Sequence, residues 1–155
     1  MNARLFIPSS LVLCAGIITG CGGSSQEQEY SLPIGLQRSV KIDGLTTDNP
    51  DQTFTYVFGF NIISANHAAI YYSGTMGAPN PANGASVHVV KYVPSEDRAE
   101  SISFTWDVAY VILHNVSNVT KGEGTATCDV RDTNMLIDPA QTGRQGTITT
   151  FTAPQ

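Results

Sequence analysis

The chain has 155 residues, 41% of them hydrophobic and only 14% charged, with 8 basic against 13 acidic side chains for a formal net charge of −5. That length is one ordinary domain able to bury a core, and the composition is too apolar and too weakly charged for a disordered chain. The basic residues are scattered rather than clustered as a nucleic-acid surface requires, and the several apolar runs of about 20 residues that a polytopic membrane protein needs are missing.

The first element is an address. Met1 to Arg4 carry one positive charge, and Leu5 to Ile18 form an apolar stretch, broken by Pro8, Ser9 and Ser10, that leads into Thr19, Gly20 and Cys21. A charged region, an apolar region and small residues before a cut make a cleaved signal peptide. Ile18-Thr19-Gly20-Cys21 resembles the lipobox of bacterial lipoproteins: an aliphatic residue, two small ones, then the cysteine. The resemblance implies cleavage before Cys21, a diacylglycerol on its sulfur and an acyl chain on its new amino group. Cys14 is the poorer acceptor, because Leu13 stands where the family has a small residue. Gly22 resembles the family's outer-membrane default. The implied division is a signal peptide over 1–20, a lipidated cysteine and Gly/Ser/Gln/Glu tether over 21–29, and a single β domain over 30–155. Several acyl chains on one cysteine anchor stably where one chain is marginal, so the bilayer is the first partner implied.

Beyond residue 20 the chain holds 11 Val, 9 Ile and 15 Thr against 5 Leu. Branching at Cβ restricts a side chain in a helix and suits a pleated sheet, so the domain is expected to be all-β. Period-two alternation predicts strands over Ser39 to Leu45, with Val40, Ile42 and Gly44 on one face, and over Gln52 to Ile62, with Phe54, Tyr56, Phe58 and Phe60 in register. Ala68 to Tyr72 and Ala85 to Val93 follow, the latter interrupted by Lys91. Ser101 to Val116 reads as one long strand carrying Ile102, Phe104, Trp106, Val108, Tyr110 and Ile112, with both faces apolar beyond Ala109. Thr125 to Arg131 and Gln145 to Phe151 are the last two. About seven strands predict an antiparallel β-sandwich, with a small β-barrel as the alternative.

Lys121-Gly122-Glu123-Gly124 supplies hairpin glycines, Asp43 to Asp51 an exposed acidic turn, and Gly74 to Gly84 a long Gly/Pro/Asn loop. Cys128, the one cysteine left beyond the lipidated position, shares a strand face with Ala126 and Val130, which predicts a buried thiol. His67, His88 and His114 stand apart and no nucleophile elbow is present, so no catalytic residue, metal site or cofactor beyond the acyl chains is expected. Asp43, Asp48, Asn49 and Asp51 form the densest set of oxygen ligands, in a spacing that is not an EF-hand. The candidate partner-binding residues are Tyr71, Tyr72, Met76, Pro79, Asn80 and Pro81, since Tyr and Met give broad, adaptable contact surfaces. The functional expectation is a membrane-anchored, non-enzymatic interaction or structural module of the bacterial cell envelope, meeting other envelope proteins and no nucleic acid. The alternative is a lipoprotein whose barrel holds a small apolar ligand between the two aromatic strands.

Overall fold

A computed structural model describes residues 29–49, 51–72 and 80–153, with backbone alone for Tyr72 and residues 80–83. Among the described residues the strands are β1 (Gln37–Thr46), β2 (Thr53–Ser64), β3 (His67–Tyr72), β4 (Asn80–Val90), β5 (Arg98–Trp106), β6 (Ala109–Ser117), β7 (Glu123–Asp132) and β8 (Ile137–Thr150), with one 3-10 turn at Thr133–Met135. Each strand pairs antiparallel with its successor, and β8 returns to β1 through pairs such as Val40 with Ile148. The chain is all-β, and it closes as an eight-strand barrel.

The closure corrects the expectation of a seven-strand sandwich. Ser101 to Val116 is two strands, not one: Trp106 pairs with Ala109, and Asp107-Val108 makes a two-residue hairpin in which Asp107 takes a φ of 47°. Asp tolerates this left-handed conformation better than most residues. The turn shifts the alternation by one, so Ile102, Phe104 and Trp106 point inward before it, and Ala109, Val111 and Leu113 after it. Val108, expected on the core face, is 41% exposed. A meander reverses direction at every turn, so its first and last strands are antiparallel only when the count is even. The eighth strand is what permits closure with every pair antiparallel.

A second departure is at Gly44, where the register slips between Ile42 and Leu45 and Asp43-Gly44 together oppose Thr55. Gly44 has a φ of 78°, the conformation a glycine bulge uses, and the bulge turns Leu45 inward in its place. Lys91, with a φ of 54°, ends β4 rather than interrupting it.

An eight-strand barrel is just wide enough for side chains to fill or for one small ligand. Here Phe60 and Phe104 have ring centroids 4.7 Å apart, Phe58 and Phe104 5.5 Å, and Phe58 and Trp106 6.0 Å. Val40, Ile42, Ile70, Ile102, Leu113, Val130 and Ile148 complete the packed interior. The exposed positions along the wall include Lys41, Thr55, Thr105, Thr125, Thr127 and Arg131. That is the reverse of a lipid-facing barrel, whose outward row is an apolar band. No helix among the described residues is long and apolar enough to cross a membrane.

Strand parity gives the barrel two unlike ends. The base is where β1 begins and β8 ends; the far end carries the β1–β2, β5–β6 and β7–β8 turns. At the base, residues 29–36 run across the opening, with Tyr30 bridging Val89, Leu32 buried in the core, and the Gly35 N–H donating to the Ile62 carbonyl at 2.7 Å. The β6–β7 turn there is held from both sides. Asp97, 3% exposed, accepts from the Thr120 and Lys121 N–H groups at 3.1 Å, while Arg38 donates to the carbonyls of Val119, at 2.7 Å, and Thr120. Gly124, just inside β7, is needed beside this turn for room rather than for φ, because a Cβ there would collide with the Ser117 carbonyl.

Candidate functional site: the far end of the barrel

Two turns from opposite ends of the sequence meet at the far end. The β1–β2 turn contributes Thr47 and Asp48 and the start of β2 Phe54, the β7–β8 turn contributes Thr133, Met135 and Leu136 and the start of β8 Asp138, and between them is an open recess of about 540 Å³. They are pinned by Gln141, whose side-chain amide behaves like an extra peptide: its oxygen accepts from the Thr46 N–H at 2.9 Å and its nitrogen donates to the Thr46 carbonyl at 3.0 Å. Below the recess, buried Tyr56 donates its hydroxyl to Asp132 at 2.8 Å, joining the strands that support the two turns.

Phe54 and Met135 are half-buried and pack on the core from this side. Leu136 is 86% exposed and takes a φ of 62°, left-handed for a residue with no glycine-like freedom. A leucine that gains neither burial nor relaxed backbone is the least self-explanatory side chain in the described molecule. The acidic stretch beside it is a hydrogen-bonded turn. Thr47 Oγ1 and Asn49 Oδ1 accept from the N–H groups of Asn49 and Asp51, and Asp43 accepts from Thr55 at 2.9 Å. Among the described residues no three His, Cys, Asp or Glu side chains are gathered as metal ligands.

The residues singled out from the sequence fall in several places. Cys21, Met76 and Pro79 lie outside the described residues. Tyr72 ends β3 and Asn80, followed by Pro81, begins β4, so the connection that runs through Met76 and Pro79 joins the barrel at the far end. Tyr71 is engaged elsewhere: half-buried on the outer wall, it meets Phe151 at a centroid distance of 5.6 Å. Phe151 lies over Gly59, where any Cβ would strike its ring, and the Ala153 N–H donates to Gln37 at 2.8 Å. The C-terminal segment is thus latched across the wall.

His67 pairs with Ser86, which sets it diagonally across from His88 on the outer face of β3 and β4. His67 and His88 are exposed, with His67 Nδ1 at 2.9 Å from Asn66, while His114 Nε2 lies 2.8 Å from Asp129 across the β6–β7 pair. Cys128 is fully buried, and desolvation, aided by the charge of Asp129, pushes its thiol up to about 12, which keeps it protonated at neutral pH. A second recess, of about 450 Å³, lies at the base between Tyr30, Ser31, Asn66 and His88.

Met135 and Leu136 escaped the sequence reading because they fall between two predicted strands. The available signal was an adjacent apolar pair in a segment otherwise marked as a turn by Asp132, Thr133, Asn134, Asp138 and Pro139. Comparison with protein-family models, with characterised proteins and with solved structures yields no match.

Proposed function

We propose that this chain is a lipid-anchored protein of the bacterial cell envelope, held at the outer membrane through acyl chains on Cys21, and that its barrel is a non-enzymatic interaction module presenting its far end to another envelope protein. The lipobox-like Ile18 to Cys21 supports the anchor. Strand parity supports the orientation: residues 29–36 meet the barrel at the base, where β1 begins, and the far end is opposite that entry. The observation that carries the reading is Leu136, exposed and left-handed beside Phe54 and Met135, since an apolar side chain held out at a backbone cost is explained by a partner that covers it. The backbone ends of β3 at Tyr72 and of β4 at Asn80 fall at the same end of the barrel, whereas Tyr71 packs on Phe151 in the C-terminal latch. The packed rings Phe58, Phe60, Phe104 and Trp106 give no support to a ligand held in the barrel interior.

A photo-crosslinking amino acid placed at Leu136 and, separately, at the wall position Thr127 tests this in cells. Position 136 should give a discrete adduct with an envelope protein that position 127 does not, and Cys21→Ser should abolish fatty-acid labelling and reduce the adduct. Equal adducts at both positions, or none at 136, would refute the interaction face; equal labelling of Cys21→Ser and the parent chain would refute the anchor.

A further inference from the structure

We propose that the far end docks a cationic, partly apolar segment of its partner protein, seating one apolar side chain against Phe54, Met135 and Leu136 with Lys or Arg side chains beside Asp48 and Asp138. This rests on the far end being the interaction face and adds the chemistry of what it takes.

The argument is one of charge placement. Arg38, Lys91, Arg98 and Lys121 all lie at the base, mixed there with Glu29, Glu96, Asp97, Glu100 and Glu123. The far end carries Asp43, Asp48, Asp51, Asp107 and Asp138, and among the described residues its cation is Arg131, whose Nε is 3.4 Å from Asp138 with both side chains about half exposed. Negative charge among the described residues is thus gathered at the far end, where the recess also carries the apolar side chains of Phe54, Met135 and Leu136. Asp48, on the β1–β2 turn, and Asp138, at the start of β8, both line that recess.

Such a field speeds the approach of a positive partner and repels a negative one, and the apolar floor then holds what has arrived. Met135 suits the floor because its side chain adapts to differing shapes. The same field disfavours the other occupants. A second copy would bring Asp48 and Asp138 against their own counterparts, and an anionic lipid surface would be repelled.

The full chain, purified in a non-ionic detergent, is titrated with a short fluorescein-labelled peptide of alternating Lys and Leu and with its Glu/Leu counterpart. The Lys/Leu peptide should bind and weaken steeply with added salt, and the Glu/Leu peptide should not bind. Leu136→Ser should weaken the Lys/Leu complex about tenfold, the equivalent of roughly 1.4 kcal/mol. Asp48→Lys with Asp138→Lys should reverse the preference between the peptides. Since Asp138 also meets Arg131, Asp48→Lys alone serves as the second variant, and circular dichroism checks each fold. Equal binding of both peptides, indifference to all these substitutions, self-association that Leu136→Ser abolishes, or binding to anionic vesicles in place of the peptide would each overturn the proposal. If the crosslinker at Leu136 captures a partner while the Lys/Leu peptide fails, the cationic class falls and the interaction face stands; if both fail, both fall.

Discussion

The two ends of this barrel solve the same geometric problem in opposite ways. At the base the opening is crossed by residues 29–36, Leu32 is buried in the core, and a turn with no regular structure is clamped by a buried carboxylate on one side and a guanidinium on the other. At the far end one glutamine amide ties the edge of the β1–β2 turn to β8, and a leucine points into solvent. The base also exposes Ile34, Ile63 and Val93, so what sets the far end apart is that its exposed Leu136 shares one recess with Phe54, Met135 and the carboxylates of Asp48 and Asp138. The contrast teaches where to look for function in a barrel whose interior is filled: at the end that gathers apolar and acidic groups around one recess.

The largest effect should come from the interior that both ends share. Trp106 is 6% exposed and its ring is 6.0 Å from that of Phe58, so Trp106→Ala should cost about 3 to 5 kcal/mol in denaturant unfolding. Hydrogen exchange should show base and far end losing protection together. Retained protection at the base alone would break the picture of one cooperative core. Next is the base itself. Asp97→Ala removes a charged acceptor from the Thr120 and Lys121 N–H groups and should cost about 2 to 3 kcal/mol, with exchange accelerated first at residues 118–122. The smallest effect has the opposite sign. Leu136→Gly removes a side chain that packs on little and relaxes a φ of 62°, so it should raise the unfolding free energy by up to about 1 kcal/mol. A clear loss of stability there would mean that Leu136 supports the fold and that the two ends are more alike than their packing indicates.

Much of the wall was legible in the sequence, because alternation reports a half-buried strand directly. The inward row Tyr56, Phe58 and Phe60 and the burial of Cys128 between Ala126 and Val130 follow from period two alone. The errors came where a turn preserves the appearance of alternation. Asp107-Val108 carries no glycine or proline, and the apolar residues on its two sides continue without a gap. The hairpin shows only as a change of phase, from even positions to odd ones, and two apolar faces beyond Ala109 were its trace. Gly44 hid the same way, occupying a place in the alternating row while bulging out of it. The far end was harder still. Asp43 to Asp51 and the end of β3 at Tyr72 are far apart in sequence, and they fall at the same end because the strands between them alternate in direction. The recess joins Phe54 to Leu136, residues whose proximity depends on closure between β1 and β8, which no local pattern encodes.

An even strand count also makes the order of strands negotiable. Residues 30 and 153 both lie at the base, close to the same rim, so a linker could join them and the barrel could be reopened at the Asp107-Val108 hairpin without changing any strand's neighbours. Such a circular permutant would keep the wall and the filled interior but carry its new termini at the far end. A tether attached there would turn the molecule over relative to its attachment, offering the clamped base outward and hiding the acidic rim.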